Sequence, residues 1–229
     1  MYPFRLFAGT ARGRIVSPVH KKQNCRFCSI SLVGPEGSLL KTKTMRKLII
    51  TEWLSLDGIY DADYMDQWWL PFDSADRQKY IQETINKCES MLYGRHTYEM
   101  LYPYWSSFKH NEQGVADQLN NCKKYVASTT LSKAPWKNTE IISERLVEEV
   151  ANIKQGTGGY ILVQGSGSLV KPLLEAGLVD EMRLLITPAI VAAGKRLFSE
   201  KIIAPLGPAT CKQLDKHVIL LTYQIQSIC

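Results

Sequence analysis

The sequence predicts an α/β protein with a mostly parallel central sheet, helices on both faces and an antiparallel hairpin at the C-terminal edge. Three observations carry that expectation. From Met45 onward, apolar runs of strand length alternate with amphipathic runs of helix length. One run, Tyr160-Ile161-Leu162-Val163, is apolar throughout, the pattern of a strand covered on both faces of a parallel sheet. Two strand-like runs, 181–190 and 217–225, come late in the chain, after the last helical run.

Arg46-Lys47-Leu48-Ile49-Ile50-Thr51-Glu52-Trp53 opens the pattern as a strand over 46–53. The stretch that follows reads as a loop, with Asp61, Asp63 and Asp66 on a solvated segment lacking calcium-loop spacing. Asp73-Ser74 before a charged amphipathic run marks a helix start, and that helix covers 74–88. Strands are expected over 89–93, 124–128, 139–143 and 159–164, and helices over 96–104, 113–121, 144–154 and 167–176, with Gly177 as a helix stop.

Composition fits a protein with a real core: 45% of the 229 residues are apolar. No apolar run approaches the roughly 20 residues that span a bilayer, so no membrane partner is expected. The net charge of +6 is unevenly placed. Residues 1–44 hold eight of the 28 Lys/Arg and one of the 22 Asp/Glu, leaving 20 bases against 21 acids beyond them. The folded body thus lacks the basic excess that nucleic-acid binding needs. Residues 1–44 read as a basic leader with three explanations: a targeting peptide, a disordered arm, or an extension upstream of a natural start at Met45. Residues 45–229 form the domain. Of six cysteines only Cys25 and Cys28 show a CxxC spacing, and no second pair completes a metal site. The remaining cysteines read as reduced thiols, and the expected compartment is the cytoplasm.

Chemistry concentrates at three strand ends. Met91-Leu92-Tyr93-Gly94-Arg95-His96-Thr97-Tyr98-Glu99 is a strand running into a helix start. There a glycine permits close approach, Arg95 adds a permanent charge, and Thr97 can cap the helix or meet an anion. An ordinary strand-to-helix junction would use the same residues. Val163-Gln164-Gly165-Ser166-Gly167-Ser168-Leu169 repeats the arrangement with two glycines and two serines, a nest suited to a pyrophosphate. Val126-Ala127-Ser128-Thr129-Thr130 offers hydroxyls at a third strand end. In an open α/β sheet the carboxyl edge is where ligands bind, and three polar ends converging there favour a nucleotide cofactor.

Gly94-Arg95-His96-Thr97-Tyr98-Glu99 resembles the Gly-Arg-x-Thr-(Trp/Tyr)-Glu signature of the dihydrofolate reductase superfamily, and Gly165–Leu169 resembles its second glycine motif. Together with Ser55-Leu56-Asp57-Gly58, the spelling most resembles the reductase domain of the bacterial bifunctional riboflavin-biosynthesis enzyme and its stand-alone relatives. The resemblance covers about 45–223 and implies a dihydrofolate reductase-like fold, an NADPH cofactor and a homodimer. By that resemblance Arg95, His96 and Thr97 face the phosphate-bearing end of NADPH, with Arg95 near the 2′-phosphate. Ser128 and Thr129 line the adenosine side, and Gly165, Ser166, Gly167, Ser168 and Leu169 cradle the pyrophosphate. Ser55, Leu56 and Asp57 lie near the nicotinamide and the substrate. The implied reaction is hydride transfer to a C=N or C=O carbon of a pteridine, pyrimidine or related heterocycle. A sharper version is reduction of 5-amino-6-(5-phosphoribosylamino)uracil; a different class is a nucleotide-binding domain without catalysis.

Two acids compete for the role of proton donor. Leu70-Pro71-Phe72-Asp73 resembles the superfamily's Leu-Pro-x-Asp, and Asp73 is equally a helix N-cap by type. Asp57 is the rival, in an Asp-Gly pair also common in plain turns. The aromatics read mainly as packing, with Trp68 and Trp69 able to wall a planar substrate. Two departures from the resemblance stand out: Gly165-Ser166 replaces a Gly-Gly pair, and the zinc-deaminase signature of the bifunctional enzyme is missing.

Overall fold

The computed structural model describes residues 45–199, 201–202 and 204–225. The leader, Cys25, Cys28 and Cys229 lie outside the described residues. The strands are β1 (Leu48–Ser55), β2 (Ser90–Gly94), β3 (Lys123–Ala127), β4 (Thr139–Ile142), β5 (Ile161–Gln164), β6 (Glu181–Thr187), β7 (Leu206–Gln213) and β8 (Ile219–Ile225). The helices are α1 (Met65–Trp68), α2 (Ala75–Asn86), α3 (Arg95–Trp105), α4 (Ala116–Asn121), α5 (Leu146–Lys154) and α6 (Gly167–Glu175). The strands form one sheet in the order β4-β3-β2-β5-β1-β6-β8-β7. From β4 to β6 every pair is parallel, while β8 is antiparallel to both β6 and β7. The expected fold class is therefore the observed one.

Alternation along the strands sorts the core into two faces. Leu48, Ile50, Leu54, Ile161 and Val163 pack with α5 and α6 on one side. Ile49, Met91, Tyr93 and Leu162 pack with α2, α3 and α4 on the other. The predicted elements stand with ends shifted by a few residues. What differs is the edge hairpin: it is β7 with β8, and β7 carries no sequence pattern because it is an edge strand with mostly exposed side chains. The stretch before α2 also holds the short α1 and a 3-10 turn, Leu70–Phe72, where a loop was expected.

The order of the strands decides where a site can form. The chain leaves β2 toward β3 on one side of the sheet and leaves β5 toward β6 on the other. Neighbouring strands whose connections diverge leave a crevice at their carboxyl ends. The crevice is deepened because β5 stops early. Its last partner on β1 is Thr51, opposite Gln164, whereas β1 stays paired with β6 as far as Ser55, opposite Thr187. Glu52 and Trp53 therefore flank a gap in the sheet.

The wall beyond β1 is fixed by a carboxylate. Asp57 Oδ1 accepts hydrogen bonds from Ser55 Oγ at 2.7 Å and from the Val191 amide at 3.1 Å. Oδ2 accepts from the Ala192 amide at 2.9 Å, and Arg196 donates to the Asp57 carbonyl. This ties the loop after β1 to residues 191–196, where Ile59 also bridges to Arg196. The bond from Ser55, then those from the backbone amides, lower the Asp57 pKa to about 2. A depressed carboxylate stabilises the fold above its unfolded pKa of about 4 and loses that contribution as pH falls through its folded value. Asp57→Asn should lower the melting temperature at pH 7 by a few degrees, with the gap to wild type closing as pH falls from about 4 to about 2. An equal melting temperature at pH 7 would show that the carboxylate does not hold the loop.

Candidate functional site

A cavity of about 410 Å³ occupies the crevice. Its walls include Gly94, Arg95, His96 and Thr97 from the start of α3, and Gly165, Ser166, Gly167 and Ser168 from the turn into α6. Eight of the eleven residues expected at a cofactor thus line one space. Both helices present first-turn amides there, groups that no carbonyl of their own helix can satisfy.

The two turns are locked together by one hydroxyl. Ser166 Oγ accepts from the Gly94 amide at 2.8 Å and donates to Thr97 Oγ1 at 2.8 Å. Ser166 is left-handed, φ 69° and ψ 48°, a conformation that glycine adopts more easily than serine. The departure from Gly-Gly therefore exchanges conformational ease for two hydrogen bonds across the crevice. Gly167 is required for a different reason. A Cβ there would lie 2.6 Å from the Tyr60 ring, so this glycine makes room for a neighbouring aromatic side chain. Gly94 has φ −79°, open to any residue, and Thr97 makes no capping bond, so of its two expected roles capping is removed.

The other expected residues fall outside the cavity lining. Leu169 is buried in the core beneath α6. Ser128 Oγ accepts from the amides of Thr130 at 3.2 Å and Leu131 at 2.9 Å, closing the turn after β3 with Thr129 inside it. It is Thr130 that reaches the neighbouring strand end: its Oγ1 accepts from Arg95 Nη1 at 2.6 Å. Arg95 is further oriented by an ion pair with Glu99 at 2.9 Å. All three polar strand ends do converge, with Arg95 as the link.

Ser55 is buried and its hydroxyl serves Asp57 and the Ile59 amide, while Leu56 points to solvent, 64% exposed. Trp69 is behind the wall: it stacks on Trp53 at 4.3 Å with planes 7° apart, and the Arg77 guanidinium covers its other side at 4.0 Å. Trp53 and Trp68 are the indoles that meet the cavity. Asp73 pairs with Arg77 at 2.7 Å and accepts from Gln78 at 2.5 Å. Burial opposes its charge, but those two bonds prevail and hold its pKa below the ordinary value. Ser74, whose Oγ accepts from the Arg77 amide, caps α2. Both proposed acids are thus ionised carboxylates bound to structural partners, and neither is among the residues lining the cavity.

A different acid is there. Glu52 lines the cavity and is 1% exposed, and its Oε1 is buried without a hydrogen-bond partner. Burial pushes its pKa up to about 8, so the carboxyl is neutral at physiological pH. The signal in the sequence was its register: on β1, positions 48, 50 and 54 supply aliphatic side chains to the core, and 52 supplies an acid. Tyr60 and Lys195 also line the cavity, the latter 3.4 Å from Asp61. A second cavity, lined by Asp63, Tyr64, Gln67 and residues 189–191, shares Asp61 and Trp68 with the first.

The Ser166 clamp makes a graded expectation. Ser166→Ala loses both hydrogen bonds and keeps a left-handed Cβ, so it should cost about 1–3 kcal/mol in urea unfolding. Ser166→Gly loses the same bonds but relieves about 1 kcal/mol of backbone strain, and should be the milder substitution. The reverse order would place the stability in the turn's backbone.

The family model of the RibD C-terminal domain matches residues 46–220. A protein of Shewanella sp. PV-4 described as a riboflavin biosynthesis protein superposes with a TM-score of 0.60 at 18% identity, over 79% of this chain and 99% of that one. The Thermotoga maritima diaminohydroxyphosphoribosylaminopyrimidine deaminase/5-amino-6-(5-phosphoribosylamino)uracil reductase gives 0.57 at 14% identity, over 81% of this chain and 58% of that one. Dihydrofolate reductase from Enterococcus faecalis, solved with NADP(H), gives 0.54 at 15% identity, over 79% and 96%. At such identities these likenesses establish the dihydrofolate reductase-like fold. The family match runs from the residues just before β1 into β8 and takes in both turns of the crevice, so this chain belongs to the RibD C-terminal domain family.

Proposed function

We propose that the protein is an NADPH-dependent reductase that delivers hydride to a C=N or C=O carbon of a pteridine, pyrimidine or related polar heterocycle. The observation that carries this reading is the single cavity lined by both helix-start turns at the point where the sheet's connections diverge. Bound there, the nicotinamide would supply the hydride; the protein's share is to hold and orient. Gly165–Ser168 would bind the pyrophosphate through the first-turn amides of α6. Arg95, held by Glu99 and Thr130, would meet the 2′-phosphate, with Ser128 and Thr129 toward the adenosine. Trp53, backed by Trp69, offers a flat apolar surface for a ring. The residues fit the cofactor: two helix starts, a cationic fork and an apolar wall on one cavity. The same reading takes the protein to act as a homodimer in the cytoplasm. No helix among the described residues is long and apolar enough to cross a membrane.

The family match favours one sharper version, reduction of 5-amino-6-(5-phosphoribosylamino)uracil, the reaction named for the Thermotoga maritima relative. Fluorescence titration tests the cofactor assignment. NADPH should bind more tightly than NADH, and Arg95→Ala should weaken NADPH by about tenfold or more, as for a lost charge-assisted hydrogen bond, while leaving NADH nearly unchanged. Failure of both nucleotides to bind would defeat the reductase reading, and equal losses for both would remove Arg95 from the 2′-phosphate.

A further inference from the structure

Glu52 calls for an explanation that folding does not provide. It sits mid-strand on the face where Leu48, Ile50 and Leu54 build the core, yet it has no cation, amide or hydroxyl bonded to its buried oxygen. A leucine there would suit the core better, and an unsatisfied buried acid costs stability. What the position offers is access. Because β5 ends at Gln164, the side chain borders the gap in the sheet and reaches the cavity with Trp53, Tyr60 and the turn into α6. Asp61, the other carboxylate in that lining, accepts from the Lys195 amide and lies beside its ammonium. Glu52 is therefore the acid of the cavity with nothing holding its proton back.

We propose that Glu52 is the proton donor of the reduction, an assignment that rests on the reductase reading above. As hydride from the dihydronicotinamide reaches the carbon of a C=N or C=O bond, the π bond opens toward the heteroatom. The Glu52 carboxyl gives its proton to that nitrogen or oxygen. The products are the reduced acceptor, the oxidised nicotinamide and a carboxylate, which recovers its proton from water. Desolvation keeps the acid loaded at neutral pH and makes the carboxylate a poor resting state, so reprotonation is favoured. Other ionisable groups share its surroundings: Tyr60, Asp61 and Lys195 from the loops and Arg95 and His96 from α3. Burial raises the Tyr60 pKa and the Glu52 carboxylate raises it further, so below about pH 8 both groups are neutral.

The test uses the full chain, Glu52→Gln, and Glu52→Asp as an acid-bearing variant should the amide disturb the fold. In protein labelled with carbon-13 at the glutamate carboxyls, one resonance should titrate near pH 8 and be missing from Glu52→Gln. The sign of the linkage gives a second readout: an acid with a raised folded pKa loses stability as pH climbs from its unfolded value through its folded one. The wild-type melting temperature should therefore fall between about pH 5 and pH 9 more steeply than that of Glu52→Gln. A carboxyl titrating in the ordinary range, with parallel melting curves, overturns the proposal. Glu52→Gln should bind NADPH within about threefold of wild type, yet oxidise it at least about a hundredfold more slowly with 5-amino-6-(5-phosphoribosylamino)uracil or dihydrofolate. Glu52→Asp should retain part of that rate. Unchanged turnover in Glu52→Gln defeats the proton-donor role alone. A wild type that binds no NADPH, or reduces neither acceptor, defeats the reductase reading, and the role with it.

Discussion

Because β5 ends four residues before β1 does on the same sheet, backbone amides and a core strand face each other across a gap instead of pairing. That shortfall organises the rest of the site. The chain must turn at Gly165 and Ser166 to leave the sheet, and both residues adopt left-handed backbone to do it. The turn aims the start of α6 at the start of α3, and Ser166 closes the distance with a hydroxyl shared between Gly94 and Thr97. Strain and hydrogen bonding are stored at the same residue. Removing the hydroxyl would leave two helix starts in place without fixing their separation, and an anion site needs that separation held.

Much of this was legible in the sequence because it rests on local rules. Apolar periodicity placed five helices and seven strands, and the two glycine turns stood out by residue type alone. What escaped depends on partners far away in sequence. β7 has Gly207, Pro208 and little apolar alternation, and exists through the ladder it forms with β8. Trp68 and Trp69 are adjacent and chemically alike; a quarter-turn of a four-residue helix sends one to the cavity and the other against Trp53. Asp73 carries the right spelling, yet Arg77 one helical turn onward claims it. Ser128 and Thr129 shape a turn, and the useful hydroxyl is one residue later, on Thr130. Glu52 had a visible signal, an acid in core register, but only the early end of β5 explains why the acid opens onto a cavity.

The two acids on and just beyond β1 show how environment sorts identical chemistry. Asp57 receives hydrogen bonds from a hydroxyl and two amides, with a guanidinium near by, so its charged form is stabilised and its proton is lost at about pH 2. Glu52, five residues earlier, receives none and keeps its proton to about pH 8. Pairs of carboxyls pushed in opposite directions mark a division of labour in acid–base sites. The division here follows from position: at Asp57 the strand has ended and loop amides are free to converge, whereas at Glu52 the neighbouring backbone is committed to the β6 ladder. No donor reaches the Glu52 carboxyl from that backbone, and burial sets its pKa. The end of the strand is where a fold fastens a loop; one turn of the pleat inside it, beside a missing neighbour, is where it can keep a proton ready.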